Sequence, residues 1–295
     1  MKYLMSRRIG PALVCLLAAV GPASADDQAA LIEFFAGQGC AIGPSTRDAA
    51  IAAGFTAGDV DALAAAEAGR EGAVASGGWL VMAPQICRMR LPEISGELSL
   101  SDADVAAAFS APDAYLDQDS PGCFLTGPLL DDLPAARGWD ADKAADEYYR
   151  LLARSIISGE LTFYSDSPLL TPMGFQLTSG ACGDAAPMDE IRRSHEFLLQ
   201  NFDPIMRTMQ AENSCEPGRY TGLISDINLV PGNGEGTGTD NAWIGLEATV
   251  IGQAAGWYEG RTATEKGTPR PPLCQYGPVP RSADDRWIAR KTRHN

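Results

Sequence analysis

A chain of 295 residues carrying 38 acidic against 23 basic side chains, for a formal charge of −15, repels phosphate backbones and anionic lipid headgroups. Nucleic acid and stable membrane insertion are therefore set aside as partners. The length is enough for one large domain, or two to three modest ones, with a real core.

Residues 1–25 read as a signal peptide. Lys2, Arg7 and Arg8 form a basic start, Ile9 to Val20 an apolar run, and Ala23-Ser24-Ala25 a cleavage site followed by Asp26. The apolar run is too short to persist as a spanning helix, and no later stretch is longer. Cys15 follows Val14 instead of the small residue expected ahead of a lipidated cysteine. Loss of this leader removes three basic residues and no acidic one, leaving 270 residues with charge −18. The expected location is periplasmic or secreted. The Arg7-Arg8 pair leaves the export route open.

The mature chain keeps six cysteines: Cys40, Cys87, Cys123, Cys182, Cys215 and Cys274. In an oxidising compartment an even, widely spaced set reads as a disulfide framework, with 15 connectivities open by counting alone. No C-x-x-C spacing occurs, which weakens thiol-redox and zinc readings, so neither metal nor cofactor is expected.

Residues 26–112 are expected to form a first α/β unit. Asp27 to Ala36 reads as a helix. Ser45 with Asp48 resembles a capping box, Gly54 a stop, and Thr56 with Asp59 a second cap opening a helix to about Ala68. Trp79 to Met89 reads as a strand, and Ser101 with Asp104 caps a helix to Phe109. Ala111 to Gly122 is the boundary. Residues 113–212 form a second α/β unit, with a helix from Asp140 to Ile157 and a hairpin, Glu160–Tyr164 with Gly174–Thr178, around Ser165–Pro168. A long helix follows over Asp189–Asn201, then a short one at Asp203-Pro204. Residues 213–280 are expected to be β-rich, with alternating strands at Leu223–Leu229 and Ile244–Val250 joined across Gly232–Gly238. Residues 281–295 form a basic tail.

The two units look alike. Pro44, Asp48, Ala52, Gly54 and Ala57 match Pro128, Asp132, Ala136, Gly138 and Ala141, and Gly78-Trp79 matches Gly174-Phe175. Such fixed-order similarity indicates one supersecondary unit used twice, which favours the sequential pairing Cys40–Cys87, Cys123–Cys182 and Cys215–Cys274. Helix, Gly-aromatic turn, helix, then strands resembles a winged helix-turn-helix unit, with Ala52-Ala53-Gly54-Phe55-Thr56 as its turn. The expected fold is thus α+β and disulfide-stapled: two tandem helix-turn-helix-plus-strands units of winged-helix-like layout, then the β-rich portion. The resemblance implies shape; the DNA-binding role attached to such units is opposed by export and acidity.

Candidate chemistry is sparse. His195, one of two histidines, is a candidate general base with Glu190, Glu196 or Asp203 near it in sequence, but it falls on an apolar stripe with Ile191, Leu198 and Phe202, where a core histidine is the commoner outcome. No G-x-S-x-G elbow occurs. The Gly232–Asn241 run lacks the Lys-Ser/Thr of a phosphate loop and the order of a calcium loop, and reads as a hairpin connection. So many carboxylates guarantee chance pairs, so composition implies no glycosidase couple. Trp257 and Tyr258 beside Arg261 are a candidate ligand platform. The leading reading is a non-enzymatic protein-binding or accessory module whose partner is an envelope protein or glycan. The competing ones are a periplasmic hydrolase using carboxylates, assisted by His195, and a small-ligand carrier.

Overall fold

The computed structural model describes residues 25–110, 122–125, 128–164, 174–184, 188–217 and 243–278. The signal peptide up to residue 24, the boundary over 111–121, the Ser165–Pro168 turn, the Leu223–Leu229 strand, the Gly232–Gly238 connection and the basic tail lie outside the described residues.

The first unit runs α1 (Ala25–Gly37), β1 (Ala41–Ile42), α2 (Pro44–Ala52), α3 (Ala57–Glu67), β2 (Val74–Ser76) and β3 (Trp79–Val81). Local chemistry sets its turn. Pro44 opens α2, where its missing N–H costs nothing, and the Gly43 N–H donates to Thr46 Oγ1 at 2.9 Å. Ser45 therefore sits inside the first turn and is not the cap its sequence suggested. Gly54 takes φ 103°, a left-handed region closed to most side chains, and Thr56 Oγ1 then accepts from Asp59 N to start α3.

Helix α4 (Ala103–Ser110) follows on the first-unit side of the 111–121 boundary and packs against the second unit, which runs β4 (Phe124–Leu125), α5 (Pro128–Arg137), α6 (Ala141–Ser158), β5 (Leu161–Tyr164) and β6 (Gly174–Leu177). Pro128 again opens the helix, Gly138 again has positive φ, and Asp140 Oδ1 accepts from Lys143 N at 2.7 Å. Both sheets are antiparallel with the last strand in the middle, β1-β3-β2 and β4-β6-β5. In each, the N–H at the end of the central strand donates to the carbonyl of the unit's first cysteine: Met82 to Cys40 and Leu177 to Cys123, both at 2.9 Å. Equated this way, Trp79 matches Gly174, so the Gly-aromatic alignment read from sequence is off by one residue. The disulfides are Cys40–Cys87, Cys123–Cys182 and Cys215–Cys274, the sequential pairing.

Two expected strands are corrected. Trp79–Met89 is a strand only to Val81; Pro84, with no N–H to give a ladder, lies in a turn where Ile86 and Cys87 both donate to the Ala83 carbonyl. Ile244–Val250 belongs to helix α9 (Trp243–Ala254). Ile244, Ala248, Thr249, Val250 and Ile251 are all buried, so α9 is enclosed on most sides, and a helix that is apolar all round is a central one. Among the described residues of 213–280 the β-rich expectation is not met. Among the described residues after Cys215, strand structure is limited to the short pair β7 (Tyr258–Glu259) and β8 (Thr268–Pro269), together with a bridge between Ser214 and Gln275.

Helices α7 (Met188–Gln200) and α8 (Phe202–Glu212) join the units. Arg207 on α8 donates to the Met82 and Cys87 carbonyls at 3.0 and 2.8 Å, while Asp203 accepts from Met89 N and pairs with Arg207. The C-terminal segment closes over the first unit. Arg270 is buried with no carboxylate at salt-bridge distance among the described residues; it lies over the Trp79 ring, donates to the Gln38 carbonyl, and burial lowers its guanidinium to about 10. Tyr276 N donates to Ser76 Oγ, and its ring lies against Gly77, where a Cβ would collide with it.

Candidate functional site

His195 is placed by α7 against α9 and the end of α6. Its own helix directs it inward with Ile191 and Leu198, and Gly159, the left-handed cap of α6, leaves room for the ring beside Nε2. The carboxylate that faces it is none of those expected. Glu196 is exposed, Asp203 is held by Arg207 and Met89 N, and the side chain of Glu190 lies outside the described residues. The neighbour is Glu247 of α9, with Oε2 3.9 Å from His195 Nδ1.

Glu247 is 1% exposed. Its Oε1 accepts from Thr162 Oγ1 at 2.7 Å and Phe163 N at 2.8 Å, which ties strand β5 to α9. Oε2 and both ring nitrogens of His195 are buried without a hydrogen-bond partner. At 3.9 Å the two groups are beyond hydrogen-bonding distance. A carboxylate so enclosed is stabilised by the donors that reach it, and its chemistry is that of an internal anchor. Sequence reasoning missed Glu247 because reading 244–250 as a strand put it on the outer face. At helical spacing it shares a face with Ile244, Ala248 and Ile251.

This arrangement makes a paired prediction. Glu247→Gln keeps the oxygen that Thr162 and Phe163 use and replaces the buried carboxyl group with an amide of the same shape, so its unfolding free energy should stay within about 1 kcal/mol of the parent. Glu247→Ala strands both donors and opens a cavity, and should cost about 3 kcal/mol. Urea unfolding followed by circular dichroism reads both; equal losses for the two variants count against the anchor.

The expected platform is dispersed. Trp257 is 0% exposed, its ring 6.2 Å from that of Phe202 and packed near Gly39 and Gly252. Tyr258 pairs with Pro269 in the β7–β8 ladder. Arg261 lies 4.4 Å over the Tyr149 ring and reaches Asp146 at 2.6 Å. These contacts fasten the C-terminal segment to α6.

Among the described residues no group of three or more His, Cys, Asp or Glu could hold a metal ion, and no helix is long and apolar enough to cross a membrane. Two surface concavities stand out among the described residues. A cleft of about 280 Å³ between α4 and α5 is lined by Ala107, Ala108, Leu129 and Leu133, with Asp104 at its edge drawn to Arg137. A groove of about 390 Å³ on the first unit is floored by Ala75, Leu80 and Ile42, which face one another across β2, β3 and β1. Asp61, Ala64 and Ala68 of α3 form one wall; Gly43, Pro44 and Arg47 form the other. Arg47 spans the two, donating to both carboxylate oxygens of Asp61 at 2.9 Å and holding that carboxyl below the usual range. Sequence reading found no signal for this groove beyond the small residues of α3.

Comparison with known proteins gives no matching family model, no matching curated protein and no matching solved structure.

Proposed function

We propose that the protein is exported, soluble in the periplasm or secreted, and acts there as a non-enzymatic protein-binding or accessory module. On this reading its two units are copies of one winged-helix-like scaffold. One observation carries it: the surfaces with which such units read nucleic acid are taken up by the protein itself. Helix α6, in the position of the reading helix, is buried along Tyr148, Leu151, Leu152, Ser155 and Ile156, and the acids of its first turns are engaged, Asp146 by Arg261 and Asp142 by Ala263 N. In the first unit the β2–β3 turn lies under Tyr276, and α3 carries Asp59, Asp61 and Glu67 but no lysine or arginine.

Three disulfides support an oxidising compartment. In the carboxylate-hydrolase alternative His195 is an assisting group, and the burial of its ring nitrogens counts against that assistance. The test is to block thiols in intact cells, recover the protein, and cross-link it in envelope extract. All six cysteines should be oxidised and a discrete cross-linked partner should appear. Recovery from the cytoplasm with free thiols, or tight binding to duplex DNA at physiological salt, would overturn the reading.

A further inference from the structure

We infer that the groove between α2, α3 and the β1-β3-β2 sheet is the docking site, and that it takes a short segment of a partner protein in which aliphatic side chains alternate with lysine or arginine. The inference rests on the protein-binding reading above and names its surface.

Shape gives the aliphatic part. The floor row Ala75–Leu80–Ile42 is apolar, and Ala64, Ala68 and Gly43 stop short of filling the space above it. A volume of about 390 Å³ falls within the range of ligand pockets. Trp79 also lines the groove, its ring so close to Gly43 that a Cβ there would collide with it, so apolar side chains entering at this wall meet closely packed backbone and ring.

Charge gives the cationic part. Asp61 stands on the groove wall, and Asp48 and Glu71 are exposed on the same unit. The cation in the lining, Arg47, is already committed to Asp61. A carboxylate offers about four acceptor sites, and Arg47 uses two of those on Asp61, so an incoming ammonium can share the group. The same charge argues against other occupants. A second copy would bring another surface of net −15 or below, and an anionic headgroup would be repelled likewise.

Fluorescence anisotropy with a fluorescein-labelled octapeptide alternating lysine and valine tests the inference. The matching glutamate–valine and all-lysine peptides serve as controls. The lysine–valine peptide should bind, and both controls should bind at least tenfold more weakly. Ala68→Trp and Ala75→Phe each fill the groove from an exposed position, and each should weaken the lysine–valine peptide at least tenfold while leaving the circular dichroism spectrum unchanged. No binding up to about 1 mM peptide, equal binding of the glutamate–valine peptide, or binding indifferent to both fillings overturns the assignment. If the cross-linked envelope partner persists unaltered with Ala68→Trp, the groove assignment falls while the protein-binding reading stands. Loss of that partner with the filled groove supports both.

Discussion

Replacing Cys40 and Cys87 together with alanine should lower the unfolding free energy by about 4 kcal/mol, the loop-closure value for a bridge of this span. The sequence separation is 47 residues, and the other two bridges each span 59. None of the three loops overlaps another, so in the chain-entropy model each restrains its own part of the unfolded chain and their contributions add. Together they amount to about 12 kcal/mol, comparable with the whole stability of a typical domain, about 5–15 kcal/mol. The fully reduced chain should therefore be close to unfolded under conditions where the oxidised one is not. Half-buried Cys123, bonded to Cys182, should be the first to yield to reductant under native conditions, because exchange depends on access to sulfur and Cys40, Cys87, Cys215 and Cys274 are almost wholly buried. Denaturant titration of the double variant, kept oxidised, checks the first number. A loss under about 1 kcal/mol would mean that the unfolded chain is already compact around these residues.

The parts of the fold that were legible in the sequence are those decided within a few residues. Thr56 and Asp140 can cap helices on their own, and Gly54 can take a left-handed conformation where other residues cannot; each signal needs no knowledge of the rest of the chain, whereas the starts at Pro44 and Pro128 went unread. The order of the cysteines followed from the similarity of the two units. Helix α9 was not legible for the opposite reason. Ile244, Thr249, Val250 and Ile251 are β-branched, and Ile244, Leu246, Ala248 and Val250 alternate with Glu247 and Thr249 between them, so local preference favoured a strand, but the packing around this segment buries neighbouring positions alike. Once its period was misread, Glu247 was assigned to the outside and the partner of His195 was lost. The groove escaped as well. It is assembled from α2, α3 and three strands, and alanines that mark a cavity read no differently from alanines that mark a helix.

Trp257 separates the platform expectation from the packing role, and the expected effect is large. Trp257→Ala should destabilise the protein by about 3–5 kcal/mol, the range for a buried aromatic cut to a methyl group. The ring is inserted between the α1–β1 turn at Gly39 and helix α9 at Gly252, beside Phe202, and its backbone is fixed at both ends: its N–H donates to the Gly252 carbonyl and its carbonyl accepts from Arg270 N. Alanine would leave a cavity that two glycines cannot fill. Trp257→Phe should cost less, about 1–2 kcal/mol, because the buried indole N–H lacks a hydrogen-bond partner and its removal recovers part of the lost packing. Arg261→Ala, which removes a contact with a half-exposed aspartate and one ring face, should cost about 1 kcal/mol. Urea unfolding followed by circular dichroism orders the three variants. If Trp257→Ala is as mild as Arg261→Ala, the indole is at the surface in solution, and an aromatic platform for ligand would again be the better account of this segment.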